Sequence, residues 1–222
     1  MPIFVNAKYM ASYAVLILPA RATASPTAPM SVILRSAAAD AQQRVAYVDI
    51  TITFVTPPIA QGQPFLKIPL LTSNVVTVAK TIESLSINDE SGPLAAYFKD
   101  DPESGEITYR HWISSRATKG KLTVYYRAPI SNLAAPLGAA PPLELRSNNG
   151  AFSGASETFL VQPKTDSPQP LEIHWDLSAM GNDTVGISSF GKGDVTSTRT
   201  CAFSNPVTLW RKKSSCILLL PL

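Results

Sequence analysis

The sequence predicts an all-β protein: an antiparallel β-sandwich of about nine strands, with an irregular N-terminal leader and an irregular C-terminal tail. Apolar residues occupy every second position of Pro170–Ser178 and of Tyr47–Val55, which is the period of a strand with one buried face. The 222 residues include 19 prolines, and proline is excluded from helix interiors and central strands. Since no segment shows a sustained 3.6-residue period, a helical bundle is disfavoured.

The predicted strands follow one another at short spacing, with turn residues such as Gly, Asn and Asp between them. In chain order they are Ser31–Arg35, Tyr47–Val55, Phe65–Leu71, Val75–Ile87, Glu106–Ser114, Lys121–Arg127, Glu157–Gln162, Pro170–Ser178 and Val185–Phe190. The fifth and sixth of these flank a polar turn that ends at Lys119-Gly120, so we expect them to pair as a hairpin. Residues Ala128–Pro142 are rich in Ala and Pro and are predicted to form an extended connection.

Differences in composition divide the chain into three ranges. Residues 1–29 are predicted to be a disordered leader or a weak signal-like segment, residues 30–199 the β-sandwich domain, and residues 200–222 a tail of non-native appearance. Residues 10–24 resemble a minimal secretion signal with the short apolar run Tyr13–Leu18, although an edge strand is a further alternative. No run approaches the ~20 apolar residues of a membrane span. The sequence leaves the compartment open.

The charge is too small and too evenly spread to indicate a nucleic-acid partner. The chain has 19 Lys and Arg and 16 Asp and Glu, a net charge of +3, without a basic cluster in the predicted domain. The two cysteines, Cys201 and Cys216, both lie in the tail. A disulfide between them would not staple the domain, and the sequence does not decide whether they pair.

The two histidines, His111 and His174, allow a complete search for a histidine-dependent site. Neither lies in an HExxH motif, so the helical zinc site of many metallopeptidases is absent. Glu172, His174 and Asp176 share one face of a predicted strand, with successive side chains ~7 Å apart. A solvated polar face is favoured over a metal site there, because no further His or Cys ligand is available. We therefore predict no catalytic residue and no metal ligand.

Two other patterns favour structural explanations. Tyr109, Trp112, Tyr125 and Tyr126 are concentrated in the predicted hairpin and suggest a stacking surface for bases or sugars, but aromatic residues in strands more often serve packing. Gly191-Lys192-Gly193 suggests a phosphate-binding loop, but no helix follows to supply the N-terminal dipole. A turn is the favoured interpretation.

Several segments match a known family in their order and spacing. They are Tyr47–Phe54, Thr108–Ser114 followed by Gly120–Pro129, Gly150–Leu160, His174–Ser178 and Gly186–Val195. From about Met30 to Val195, the sequence thereby resembles the N-terminal β domain of the glycyl aminopeptidase family, gluzincin zinc metallopeptidases related to thermolysin.

The resemblance implies a module without catalytic residues of its own. In that family the β domain precedes a catalytic domain that binds zinc through HExxH and a downstream Glu, and neither element occurs here. We therefore expect a β-sandwich that packs on a catalytic domain and shapes its cleft, with zinc only in that other domain and with the catalytic domain or a peptide as partner. The alternatives are a stand-alone module that binds protein or carbohydrate, and a hydrolase with an unrecognised site.

A Gly-rich loop, Asn148–Ser156, is the part that we expect nearest to substrate. Its glycines permit close backbone approach, and its Asn side chains and amides can bind peptide termini. The predicted substrate-proximal residues are Asn148, Asn149, Gly150, Gly154 and Ser156.

The resemblance also gives an expectation for the tail. A family member would continue from Val195 into its catalytic domain, whereas this sequence changes character near Thr200. We expect a truncated product or a mispredicted gene model, whose last ~20 residues are not native to the fold.

Overall fold

Most of the described chain is β-strand, as the sequence predicts. The computed structural model describes residues 28–102, 107–130, 143–164, 169–201 and 216–221. Almost all of the predicted leader, most of the predicted connection and much of the predicted tail lie outside these residues. Among the described residues, no helix has the length and apolarity that crossing a membrane requires.

The structure contains more strands than predicted, because several are only two residues long. In chain order they are β1 (Met30–Ser36), β2 (Tyr47–Val55), β3 (Pro64–Pro69), β4 (Leu71–Thr72), β5 (Val75–Val76), β6 (Glu83–Asp89), β7 (Gly92–Pro93), β8 (Ala96–Asp100), β9 (Tyr109–Ser114), β10 (Lys121–Pro129), β11 (Arg146–Asn148), β12 (Ala151–Ala155), β13 (Gln162–Pro163), β14 (Gln169–Asp176), β15 (Thr184–Ser188), β16 (Gly191–Lys192), β17 (Val195–Cys201) and β18 (Cys216–Pro221). The helices are a 3-10 helix (Val78–Lys80) and the one-turn α1 (Ser156–Phe159).

The largest sheet has seven strands in the order β17-β14-β1-β2-β10-β6-β7. Its pairs are antiparallel apart from β1 and β14, which run parallel. Every second residue of β2 and β10 is buried, so one face of this sheet covers the core. The strands predicted from alternation at Tyr47–Val55 and Pro170–Ser178 are thereby confirmed as β2 and β14.

Three smaller sheets complete the fold. A five-stranded sheet has the order β11-β12-β18-β15-β16, a four-stranded sheet has the order β13-β3-β9-β8, and β4 pairs with β5. Buried residues of the four-stranded sheet, such as Leu66 and Trp112, belong to the same core cluster as Ile52 and Val124 of the seven-stranded sheet. The two sheets therefore share one core, as expected of the predicted sandwich.

The predicted hairpin of Glu106–Ser114 with Lys121–Arg127 is wrong, because β9 and β10 lie in different sheets. β9 pairs with β3 and β8, whereas β10 pairs with β2 and β6. The residues between them are bound elsewhere: the Thr118 amide donates to the Ile59 carbonyl at 2.9 Å, and the Lys119 amide donates to the Asp89 carboxylate at 2.9 Å. The polar turn is thus a crossing between two sheets.

Two other predicted strands are interrupted. The range Val75–Ile87 contains the 3-10 helix, because the Thr77 hydroxyl accepts a hydrogen bond from the Ala79 amide at 3.2 Å and caps the turn. The range Glu157–Gln162 begins with α1, in which the Leu160 amide donates to the Ser156 carbonyl at 2.7 Å. Only its last residue, Gln162, lies in a strand, β13.

The tail contributes a strand that its sequence pattern does not predict. Residues Cys216–Pro221 form β18, which pairs with β12 on one side and β15 on the other. Without it, the five-stranded sheet would be two separate hairpins. The division into leader, domain and tail stays a prediction.

Trp175 of β14 fixes the position of the β15 strand. A Cβ atom added to Gly186 would lie 2.1 Å from the Trp175 ring, so only glycine allows β15 to approach the indole this closely. The Trp175 ring also lies 6.4 Å from the Phe152 ring, between centroids. One tryptophan thus contacts both β12 and β15, the two strands that flank β18.

Tyr126 joins the seven-stranded sheet to the segment that follows α1. Its side chain is fully buried, and its hydroxyl donates to the Phe159 carbonyl at 2.9 Å and accepts from the Val161 amide at 2.9 Å. Burial raises the pKa of the Tyr126 phenol far above its ordinary value. Both backbone groups would otherwise lack a partner in the core.

Asp89 organises the loops at one end of the seven-stranded sheet. Its carboxylate is completely buried and accepts hydrogen bonds from the Arg116 guanidinium at 2.6 and 2.8 Å. It also accepts from the amides of Ser91 at 2.8 Å and Lys119 at 2.9 Å. The Arg116 hydrogen bonds hold the pKa of Asp89 well below its usual range, with smaller contributions from the two amides.

We expect Tyr126→Phe to lower the free energy of unfolding by about 1–3 kcal/mol, because the buried Val161 amide loses its partner. Urea unfolding at neutral pH measures the change. Tyr97→Phe is the matched control, since the Tyr97 side chain is 56% exposed and its change should be near zero. Equal effects of the two substitutions would contradict a stabilising role of the Tyr126 hydroxyl.

We expect Asp89→Asn to lower the free energy of unfolding by about 1–3 kcal/mol at pH 7. The folded-state pKa of Asp89 lies below the unfolded value, so the carboxylate stabilises the fold above about pH 4 and this contribution is lost as pH falls towards the folded-state pKa. The difference between wild type and variant should therefore shrink in acid. Asp183→Asn, at an exposed carboxylate, is the control, and a difference independent of pH would disprove the linkage.

Candidate functional site

The predicted substrate-proximal residues do not form a single loop. β11 and β12 form a hairpin in which Asn148 pairs with Ala151, and Asn149 and Gly150 form its two-residue turn with φ of 49° and 76°. Two consecutive positive φ values are typical of a type I′ turn, for which Asn-Gly is the preferred sequence. Gly154 lies in β12 and Ser156 begins α1.

The turn of the β11–β12 hairpin is bound to another part of the chain. The Gly150 amide donates to the Gln43 carbonyl at 2.9 Å, and the Val45 amide donates to the Ser147 hydroxyl at 2.6 Å. A Cβ atom at Gly150 would lie 2.8 Å from the Gln43 side-chain oxygen. The close approach that this glycine permits is therefore made to Gln43.

Gly154 permits close packing inside the domain. A Cβ atom there would lie 3.1 Å from the Leu145 Cα and 3.3 Å from the Phe159 ring, and Gly154 is buried. Asn149, by contrast, is exposed and Ser156 is partly exposed. Of the predicted residues whose surroundings are described, Asn149 is the most accessible to a ligand, and Gly150 is partly exposed like Ser156.

Glu157 is an accessible polar residue that the sequence analysis did not select. It follows Ser156 in α1, which packs against β3, β4 and the 3-10 helix. Its side chain is half-buried, and burial raises the pKa of its carboxyl. The described residues form no hydrogen bond with this carboxylate. The raised pKa of Glu157 could not have been predicted from the sequence. The pattern of Glu157–Gln162 predicts a strand and does not show that the Glu157 side chain is half-buried.

Other polar groups lie on the four-stranded sheet near α1. The Lys67 ammonium is 4.8 Å from the centroid of the Tyr109 ring. His111 Nε2 lies 3.0 Å from the Asp101 carboxylate. Burial raises the pKa of the Tyr109 phenol, with smaller contributions from the charges of Asp101 and Glu157. We call Lys67, Asp101, Tyr109, His111 and Glu157 the sheet polar surface.

The β4–β5 hairpin places two large apolar side chains in solvent. Leu71 is 43% exposed and Val76 is 57% exposed, and the two residues are cross-strand partners. Since α1 packs against β4, this apolar pair lies beside the end of the domain that contains Glu157. The sequence does not reveal the pair, because Leu71 and Val76 fall within ranges predicted as half-buried strands.

The aromatic residues of the mispredicted hairpin do not come together in one surface. Trp112 and Tyr126 are buried, and Tyr109 and Tyr125 belong to different sheets. Gly191 and Lys192 form β16, which pairs with the end of β15. The interpretation of this segment as a turn is thus wrong for Gly191 and Lys192, because the turn precedes them at residues 189–190.

His174 lies between two carboxylates on the outer face of the seven-stranded sheet. Its Nδ1 is 3.1 Å from the Asp194 carboxylate, and its Nε2 is 3.7 Å from the Glu172 carboxylate. Asp176 instead accepts from the Arg35 guanidinium at 2.6 Å and from the Ser178 hydroxyl at 2.6 Å. The hydrogen bonds from Ser178 and Arg35 lower the pKa of Asp176 to about 2. Within the described ranges, no group of three or more His, Cys, Asp or Glu could hold a metal ion.

We expect Glu157→Gln to raise the free energy of unfolding at pH 7 by roughly a few tenths of a kcal/mol, since the group is half-exposed. The folded-state pKa of Glu157 is raised, so its ionisation costs stability as pH rises through that pKa. The gain should disappear below about pH 4, where the carboxyl is neutral in both states. Urea unfolding across this range measures it, with Glu83→Gln at an exposed site as control. A loss of stability at pH 7 would contradict the prediction.

Comparison with known proteins supports the fold. No protein-family model and no curated protein matches the sequence. Among solved structures, an aminopeptidase N family protein from Idiomarina loihiensis is similar with a TM-score of 0.53 and 9% sequence identity, over 86% of this chain and 29% of that chain. An M1 zinc metallopeptidase from Deinococcus radiodurans matches with a TM-score of 0.35 and 10% identity, over 88% of this chain and 38% of that chain.

This chain spans less than half the length of each of these two proteins. The likeness concerns the fold and not any functional residue, because the sequence identity is so low. The resemblance to an aminopeptidase β domain, predicted from sequence, is thus confirmed in three dimensions: the chain has the fold of part of an aminopeptidase N family protein.

Proposed function

We propose that the chain is a non-catalytic β-sandwich module of an aminopeptidase-like metallopeptidase. It packs on a catalytic domain and forms part of the wall of that domain's cleft. The observation that supports this best is the fold likeness to the Idiomarina loihiensis protein, which includes 86% of this chain but 29% of the other. A module of such a size leaves the larger part of the enzyme to other domains.

The β4–β5 hairpin is the proposed docking site for the catalytic domain. Leu71 and Val76 are exposed neighbours on it, and covering them would remove apolar surface from water, at about 25 cal/mol per Å². Exposed apolar neighbours of this kind are typical of interaction sites. The packing of α1 against β4 would place the adjacent polar groups beside the docked domain.

The sheet polar surface, with Ser156, is the proposed part of the cleft wall. Peptides present a cationic amino terminus and backbone amides. The Glu157 carboxylate is a partner for the former, and the Ser156 hydroxyl is a partner for the latter. A half-buried carboxylate that costs stability is a candidate functional group, since folding alone gives no reason for it.

Hydrolysis and zinc binding belong to the catalytic domain in this proposal. The sequence contains no HExxH motif, and His111 and His174 are each already bound to carboxylates. The role of this module is to position and limit the substrate, and it requires no metal in the module itself.

We expect the pure chain to release no N-terminal residue from a tripeptide library, with or without added zinc, because its sequence has no HExxH motif and its described residues form no group that could hold a metal ion. Mass spectrometry of the incubated library measures the release. Zinc-dependent release that a chelator abolishes would overturn the proposal in favour of a hydrolase.

Sequencing the transcript across the Val195 codon tests whether a catalytic domain is encoded downstream. The expected result is a reading frame that continues into a region with HExxH. In the protein so extended, Leu71→Ser with Val76→Ser should lower aminopeptidase kcat/KM at least several-fold, because the docking site is lost. Ile33→Ser, at a 40% exposed residue on a different sheet, is the control and should leave it unchanged. A frame that ends after Leu222 would favour a stand-alone module.

A further inference from the structure

We propose that the free edge of β8 pairs with β8 of a second copy of this chain. The two strands would run antiparallel about a two-fold axis and join two four-stranded sheets into one continuous sheet. β8 is the end strand of its sheet, and β9 is its neighbour on one side. In the part of the chain that the structure describes, no strand pairs with its other side.

The hydrogen bonds at the ends of β8 show which backbone groups point outward. The Asp101 amide donates to the Tyr109 carbonyl at 2.9 Å, and the Ser115 amide donates to the Ala95 carbonyl at 3.0 Å. Hydrogen-bonded pairs alternate along an antiparallel ladder, so the amides and carbonyls of Tyr97 and Lys99 are also directed at β9. Those of Ala96, Phe98 and Asp100 point to the free edge.

This alternation makes the edge self-complementary in a register centred on Phe98. If Phe98 lies opposite Phe98 of the second copy, Ala96 lies opposite Asp100 and every outward amide meets an outward carbonyl. About six hydrogen bonds would form across the axis, two for each hydrogen-bonded pair. A register centred on Asp100 would place two carboxylates opposite each other, which is unfavourable.

The exposed side chains favour the same register. Tyr97 and Phe98 are 56% and 58% exposed, which is unusual for the edge of a sheet that avoids association. Tyr97 would lie opposite Lys99 of the second copy, and an ammonium beside an aromatic ring is favourable. Within the chain, the Arg110 guanidinium already lies 3.9 Å from the centroid of the Phe98 ring.

The charges at the ends of the edge are already balanced within each copy. The Asp100 carboxylate accepts two hydrogen bonds from the Arg110 guanidinium, at 2.7 and 2.8 Å. These hydrogen bonds lower the pKa of Asp100. Pairing of the two β8 strands would therefore bring no uncompensated carboxylate close to Ala96 of the other copy. The inference does not depend on the proposed docking at Leu71 and Val76, which involves a different hairpin.

Sedimentation of the full chain at increasing concentration tests the inference. We expect a species of twice the chain mass at tens of micromolar, and mainly monomer for Phe98→Pro, which removes one outward amide and spares the amides directed at β9. Val76→Ser is the control and should still form the dimer, since Val76 lies in the docking hairpin. A wild-type chain that stays monomeric, or a dimer that persists in Phe98→Pro, would overturn the proposal.

A cysteine experiment tests the register independently of the proline variant. In a chain with Cys201→Ser and Cys216→Ser, Phe98→Cys should form a disulfide between copies under mild oxidation. The expected Cα separation of the opposed residues is about 5.5 Å, within the range of about 4.4–6.8 Å that a disulfide spans. Lys99→Cys should cross-link far less, because Lys99 lies opposite Tyr97. Equal cross-linking at both positions would refute the two-fold register.

Discussion

The arrangement around Phe159 depends on one buried hydroxyl. Tyr126 comes from the middle of β10, in the seven-stranded sheet, and its oxygen binds the Phe159 carbonyl and the Val161 amide. These two backbone groups lie where α1 ends, so they have no partner within a regular helix or strand. The core can close over this irregular segment because Tyr126 satisfies both groups. The position of α1, and hence of Glu157, follows from that closure.

The outer face of the same sheet has a row of alternating charges that crosses four strands. Asp176 on β14 faces Arg35 on β1, which faces Asp49 on β2, which faces Arg127 on β10. Arg35 contacts Asp176 at 2.6 Å, and Arg127 binds Asp49 at 2.7 and 3.0 Å. The Arg35–Asp176 pair is exposed and contributes little alone, whereas the Arg127–Asp49 pair is partly buried. A shift of any strand by one residue would break the row, so the charges favour the same register as the buried face.

The sequence was sufficient where one strand face alone determines the structure. β2 and β14 alternate strictly and were located almost to the residue, because their apolar side chains have only one core to enter. The separation of β9 and β10 into different sheets was not predictable in this way. Both strands have a buried face whichever sheet they join, and the deciding contacts, those of Thr118 with Ile59 and of Lys119 with Asp89, come from distant parts of the chain.

In the candidate site, too, local features can be predicted from the sequence, whereas contacts between distant segments cannot. The Asn-Gly pair at 149–150 indicates a tight turn from sequence alone, but only the fold shows that the turn is bound to Gln43. Glu157 was hidden because the range Glu157–Gln162 has the composition of a strand, and the tertiary hydrogen bonds of Tyr126 override that local preference. Burial of a particular carboxylate is a property of packing, which a single sequence does not specify.

The four-stranded sheet separates the two proposed contacts of the module. Its order β13-β3-β9-β8 places β8 at one edge, while α1 packs against β3, at the other side of β9. The docking hairpin follows β3 directly in the chain, at the same side as α1. A catalytic domain bound at the hairpin and a second copy bound at β8 would therefore approach from different sides of β9. Because β9 pairs through its backbone with both β3 and β8, it would hold the two contacts in a fixed mutual orientation.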